Sequence, residues 1–287
     1  MIFVPYPRVK NSKTIAVFSV YAPALVSLAP DLKKAYRNYR ANKGSPAVVL
    51  PLNYAQAGKV SPAQKTELDK LYASTYKKLK ENHRHLDWAY DLRKADNLPY
   101  CPMCGNTGRD ALDHYLPKAD YPEFAVLSFN LVPTCTSCNS KRSNSANAPR
   151  SPLPLIHPYF DGRRLSSPLV VVVIDPDKGT TPPTYLMPSF RLVPAIAPTD
   201  GLFARLANHL DKCVDDTQLR RWLTGRWKLW RLKAPDYSTL AELRKAIDRE
   251  LQAEIDVGGM NNWTAAFLRG LLVSPSVLQW MMKHPPS

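Results

Sequence analysis

Two Cys-x2-Cys pairs constrain this chain more than any other feature. Cys101 and Cys104 form one, Cys135 and Cys138 the other, with thirty residues between them. Each pair can turn two thiolates toward one point, so together they predict a tetrahedral four-sulfur site, which zinc suits. Matched pairs of this kind rarely arise without a metal. The fifth cysteine, Cys213, stands alone. Four paired thiolates and one lone residue fit a reducing, cytoplasmic compartment better than a disulfide framework.

The segment around the pairs carries further chemistry. Asp113-His114 is followed by Pro117 and then Asn130, and the second pair runs straight into Asn139, Lys141 and Arg142. A histidine exchanges protons near neutral pH, so His114 suits a general base that activates water. Asp113 and Asn139 are oxygen donors, the ligand type that Mg2+ or Mn2+ prefers. Lys141 and Arg142 place charge where a phosphodiester would be held, although a solvated helix face is the preferred reading for these two. The set predicts metal-assisted phosphodiester hydrolysis. A zinc ribbon that only stabilises or binds is the alternative.

At these residues the chain resembles the HNH nucleases, also called the His-Me or ββα-metal finger. The family pattern is an Asp-His pair before a proline, a central Asn before a Cys-x2-Cys, and a His or Asn just after it. Here those positions read Asp113-His114-Tyr-Leu-Pro117, Asn130-Leu-Val-Pro-Thr-Cys135 and Cys138-Asn139. The resemblance implies that His114 is the general base and that Asp113 and Asn139 hold the catalytic metal. It further implies that Asn130 braces the loop aiming the histidine and that the four cysteines bind a structural zinc. Asn139 stands where the family name has a histidine, a variant the family tolerates. The arrangement is also similar to the nuclease subunit of Septu-type anti-phage systems, which works with an ATPase partner. Products with 5′-phosphate and 3′-hydroxyl ends are implied by the resemblance alone. It covers residues 100–144 and says little about the rest.

The formal charge of +15 over 287 residues suits a nucleic-acid partner. Twenty-seven prolines argue for many irregular connections and against a simple helical bundle. Ile15 to Leu28 is apolar, but Pro23 interrupts it, which makes it a poor signal peptide and too short for a membrane span; a buried strand or hairpin is expected there. Asp31 to Asn42 reads as a short basic helix. Ser61 to Asn97 reads as a long one, with a capping box at Ser61 and Gln64. Its basic side (Lys77, Lys78, Lys80, Arg84) could flank DNA, while His83 and His85 read as exposed.

Downstream, His157-Pro-Tyr-Phe-Asp161-Gly predicts a turn held by hydrogen bonds; similar segments follow HNH motifs in some bacterial nucleases. Leu169 to Ile174 and Tyr185 to Val193 predict a hairpin. The last ninety residues predict helices at 202–211, 217–232, 237–255 and 262–272. Leu219, Leu223, Trp227 and Trp230 would pack inward, leaving arginines for DNA or a partner.

The expected fold is α+β: a zinc-bound ββα core at 98–165, an N-terminal region with a long helix at 1–97, and a β-hairpin with helices at 166–287. The expected function is metal-dependent DNA cleavage in bacterial anti-phage defence, with an ATPase partner and no membrane. A non-catalytic zinc-dependent binding module and an RNase of the same fold are the rivals.

Overall fold

The computed structural model describes residues 1–16, 22–52, 60–79, 87–93, 98–108, 111–142 and 147–285. The described residues form a mixed α+β structure with two small antiparallel sheets, each of two strands. No helix among them is long and apolar enough to cross a membrane. The chain divides into two compact units. One holds Val4–Leu98 and Gly108–Asp161; the other holds Met1–Phe3, Pro99–Thr107 and Gly162–Ser287.

The first unit begins with helix α1 (Asn11–Ala16), a 3₁₀ turn at Pro23–Leu28 and helix α2 (Ala29–Ala41). The strand expected between Ile15 and Leu28 is therefore corrected wherever the structure describes it; residues 17–21 lie outside the described residues. The reason lies in the spacing. Leu25, Leu28, Leu32, Tyr36 and Tyr39 are all buried, and their steps of three and four residues define a helical face, not an alternating strand. Pro23 and Pro30 sit in first turns, where a missing N–H costs nothing.

Helix α3 (Pro62–Leu79) starts with the expected reciprocal cap: Gln64 N–H donates to Ser61 Oγ, and Ser61 N–H to Gln64 Oε1. Helix α4 (Asp87–Arg93) follows. The expected basic face falls partly on Lys80 and Arg84, outside the described residues, as do His83 and His85. Strand β1 (Ala111–His114) then pairs with β2 (Leu131–Thr134), His114 opposite Leu131, and helix α5 (Thr136–Lys141) follows directly. Leu112 and Leu131 pack on Ala89, with Trp88 and Leu92 against them.

The second unit is organised around the helix Trp263–Leu272. After a single turn, α6 (Gly162–Leu165), strand β3 (Val170–Asp175) pairs with β4 (Ser189–Pro194), confirming the expected hairpin. Helices α7 (Phe203–Cys213), α8 (Asp216–Lys233), α9 (Leu240–Gly258), α10 (Trp263–Leu272) and α11 (Pro275–Lys283) complete it. Helix α10 packs against β3 and α9 and is buried along nearly its whole length. At Gly270 a Cβ would lie 2.1 Å from the Val172 carbonyl oxygen, so only glycine lets β3 approach this closely. Leu219, Leu223, Trp227 and Trp230 of α8 are buried as expected.

Candidate functional site

The four paired cysteines are buried, and their sulfurs lie within 4.8 Å of one another. Tetrahedral Zn–S bonds of about 2.3 Å place sulfurs about 3.8 Å apart, so the four can hold a zinc ion. Among the described residues no other group of three or more His, Cys, Asp or Glu gathers this way. Local backbone shapes each pair. Cys135 caps α5, its sulfur accepting from Cys138 N–H at 3.4 Å. In the other pair Asn106 N–H donates to Cys104 Sγ, and Cys101 N–H to the Asn106 carbonyl. Such amide donors favour the thiolate over the thiol. The turn closes through Gly105 at φ +82°, where a Cβ would meet the Asn261 carbonyl at 2.5 Å. His209 Nε2 lies 2.6 Å from the Met103 carbonyl, and the lone Cys213 is buried with its sulfur 3.8 Å from His209 Nδ1.

His114 ends β1, nearly enclosed. Its Nε2 lies 3.0 Å from the Ala125 carbonyl oxygen. A carbonyl only accepts, so Nε2 carries the hydrogen and Nδ1 keeps a lone pair. Burial pushes the imidazole pKa down to about 3; the Ala125 carbonyl opposes this, and the charges of Lys118 and Arg142 add to it. Asp113 Oδ1 accepts from His114 N–H at 2.7 Å, while Oδ2 pairs with Arg142 Nη2 at 2.6 Å. Arg142 Nη2 also donates to the His114 carbonyl. The solvated-face reading of Arg142 is thus corrected: the side chain is buried because two acceptors at the end of β1 hold it. Lys141 and Asn139 are exposed on α5.

Asn130 is fully buried and uses its whole amide. Oδ1 accepts from Leu116 N–H and from the Tyr39 hydroxyl; Nδ2 donates to the Leu116 and Phe124 carbonyls. It therefore ties both ends of the 115–130 connection together, the connection that contains Ala125. A further chain of bonds leads into it. Tyr159 N–H donates to His157 Nδ1, so His157 Nε2 carries the hydrogen and faces the Tyr39 oxygen at 3.2 Å. His157 N–H donates to Asp161, giving the turn expected there. Tyr39 and Arg142 are the residues that sequence reasoning missed in these roles. Tyr39 falls in the short basic helix read over Asp31 to Asn42, where nothing in the sequence singles it out, and Arg142 reads as one cation of a basic pair.

Asp113 and Asn139 each carry an oxygen donor of the type Mg2+ prefers, Asp113 beside Arg142 at 2.6 Å and Asn139 exposed on α5. The Asp113 oxygen is shared with Arg142, so an ion and the guanidinium would compete for it.

No family model matches this chain, and no solved structure matches it. Among curated proteins it is similar to Protein ea31 of Escherichia phage lambda, with 37% identity over 98 residues. Those residues are 34% of this chain and 32% of that protein, so the match spans about a third of the relative's length.

Proposed function

We propose that this chain is a metal-dependent endonuclease of the HNH type that hydrolyses phosphodiester bonds in DNA. The observation that carries the reading is the Nε2–Ala125 contact at the end of a strand–strand–helix unit, which fixes the tautomer a general base requires. His114 Nδ1 takes a proton from water, the resulting hydroxide attacks phosphorus, and the P–O3′ bond breaks as the 3′-oxygen takes a proton from a solvent water. Asp113 and Asn139 would hold the divalent ion; bound there, it supplies neutralising charge to the phosphate and leaving oxygens. Arg142 positions both Asp113 and the His114 backbone. Asn130, braced by Tyr39, keeps the Ala125 carbonyl where the imidazole needs it. The four cysteines hold a structural zinc.

The test is cleavage of supercoiled plasmid by the purified protein with Mg2+, Mn2+ or EDTA, beside His114→Ala. Metal-dependent nicking lost in the variant supports the reading, and cutting that survives in the variant rejects it. A DNA and an RNA oligonucleotide of one sequence separate DNase from RNase. A non-catalytic zinc-dependent binding module is the second reading, favoured by the Asp113–Arg142 pair, which in such a module is a structural ion pair. It predicts binding unaffected by His114→Ala and no product. A role in anti-phage defence beside an ATPase partner extends the first reading; free cutting by the protein alone removes its support.

A further inference from the structure

A groove of about 430 Å³ lies in the first unit between α1, α2 and the 125–130 loop. Its apolar lining is the half-buried Phe129 with the buried Ile15 and Leu127, and its cations are Lys10, Lys33, Arg37 and Arg40, all exposed. No acidic residue is among those lining it. Lys33, Tyr36, Arg37 and Arg40 stand at i, i+3, i+4 and i+7 of α2, so one helix face carries them. Arg40 lies over the Phe129 ring, 5.6 Å from its centroid. Tyr36 is buried against the groove, and its hydroxyl finds no hydrogen-bond partner among the described residues. The same loop that turns the Ala125 carbonyl onto His114 turns Leu127 and Phe129 into this groove.

From this we infer that the groove holds an unpaired nucleotide of the nucleic-acid strand that the chain acts on. The base lies on the apolar and aromatic floor and the phosphates on the α2 cations. Four cations with no acid fit a polyanion, and a duplex keeps its bases stacked inside, so it offers nothing to an apolar floor. An unpaired nucleotide presents both parts at once. The assignment rests on the nuclease reading only for what happens next to the groove; the groove itself binds without catalysis.

Binding is therefore read in the His114→Ala background, by fluorescence anisotropy of a labelled single-stranded 12-mer and of its duplex. The exposed charges are removed as Arg37→Gln with Arg40→Gln, and circular dichroism confirms the fold. The single strand should lose about tenfold or more in affinity, and its log Kd against log salt slope should fall by roughly one to two. The duplex should lose much less. Equal loss on both forms overturns the unpaired-nucleotide assignment, and no loss on either overturns the groove. Loss confined to anionic phosphatidylglycerol vesicles overturns it in favour of a membrane surface. Plasmid cutting by the wild type, measured separately, tells failure of the groove from failure of the nuclease reading.

Discussion

Strands β1 and β2 have four residues each and are joined by residues 115–130; β3 and β4 have six each and are joined by residues 176–188. In β3 burial alternates residue by residue, with Val170, Val172 and Ile174 turned inward. That is the pattern of a two-faced sheet covering a helix. In β2 all four residues are buried, and the strand is flanked by Asn130 and Cys135. The longer hairpin buries apolar surface. The shorter one buries Leu112, Leu131 and Val132 and is in addition surrounded by buried polar groups, among them His114, Glu123, Asn130, Arg142 and His157. A hairpin held in that way specifies atom positions, because each buried donor and acceptor must be met.

The largest effect expected from this contrast concerns metal. The first hairpin runs straight into Cys135 and Cys138, and the second into no ligand at all. Purified protein should carry one zinc, measured by mass spectrometry of the metal content. Structural zinc contributes on the order of 10 kcal/mol to small domains, so chelation or Cys101→Ser should strip the metal and lower the melting temperature sharply. Unchanged metal content and melting in Cys101→Ser would sink the four-sulfur assignment.

Next comes His114→Ala. A positioned general base contributes about 10²- to 10⁴-fold in rate, and the plasmid-nicking rate should fall by that factor with the fold kept. A substitution on β3 at a half-buried position, such as Val173→Thr, should leave the nicking rate alone. If both variants slow cutting equally, the two hairpins do not divide catalysis from core packing.

Asn130→Ala removes four side-chain hydrogen bonds at once. At about 1 kcal/mol each, the loss is roughly 4 kcal/mol in denaturant unfolding. Cleavage should fall too, because the Ala125 carbonyl is freed. A loss under about 1 kcal/mol would mean that the loop holds itself without the amide.

These positions also show where sequence reading succeeds. The helices of the second unit and the β3–β4 hairpin were legible because apolar periodicity of 3.6 and of 2 is written directly into Leu219, Leu223, Trp227 and Trp230, and into Val170, Val172 and Ile174. The four cysteines were legible because spacing alone dictates their convergence. Tyr39 was not, since hydroxyl and ring are carried by one residue and only the ring follows the helical period. Nor was Arg142, whose partners Asp113 and the His114 carbonyl are brought to it by strand pairing across 28 residues of chain. Helix α11 went unread because a nine-residue segment at the end of an apolar stretch has little period to count.

The two connections also differ in the sign of their response to pH. In 115–130, Glu123 is almost fully buried, accepts from Leu52 N–H at 2.6 Å, and has its pKa raised to about 7, chiefly by burial. A carboxyl whose folded pKa lies above its unfolded value of 4.5 gives stability that is complete below 4.5 and is lost as pH rises to about 7. Over that window the wild type should lose roughly 3 kcal/mol relative to Glu123→Gln. Identical slopes for the two proteins would show that the carboxyl titrates elsewhere.

In residues 176–188, Asp177 shows the opposite behaviour with the smallest effect. Partial burial raises its pKa, but Thr184, Met187 and Leu186 donate to its oxygens and Arg231 adds positive charge, so the net shift is downward. A carboxyl with a lowered folded pKa stabilises above its unfolded value of 3.8, and that contribution is lost as pH falls through the folded value. The group is well solvated, which discounts the gain to less than about 1 kcal/mol. Asp177→Asn should therefore unfold slightly more easily at pH 7, with the difference fading below pH 3.8. A difference that grows on acidification would reverse the contrast, because it would mean that the second connection also stores a carboxyl that prefers its proton.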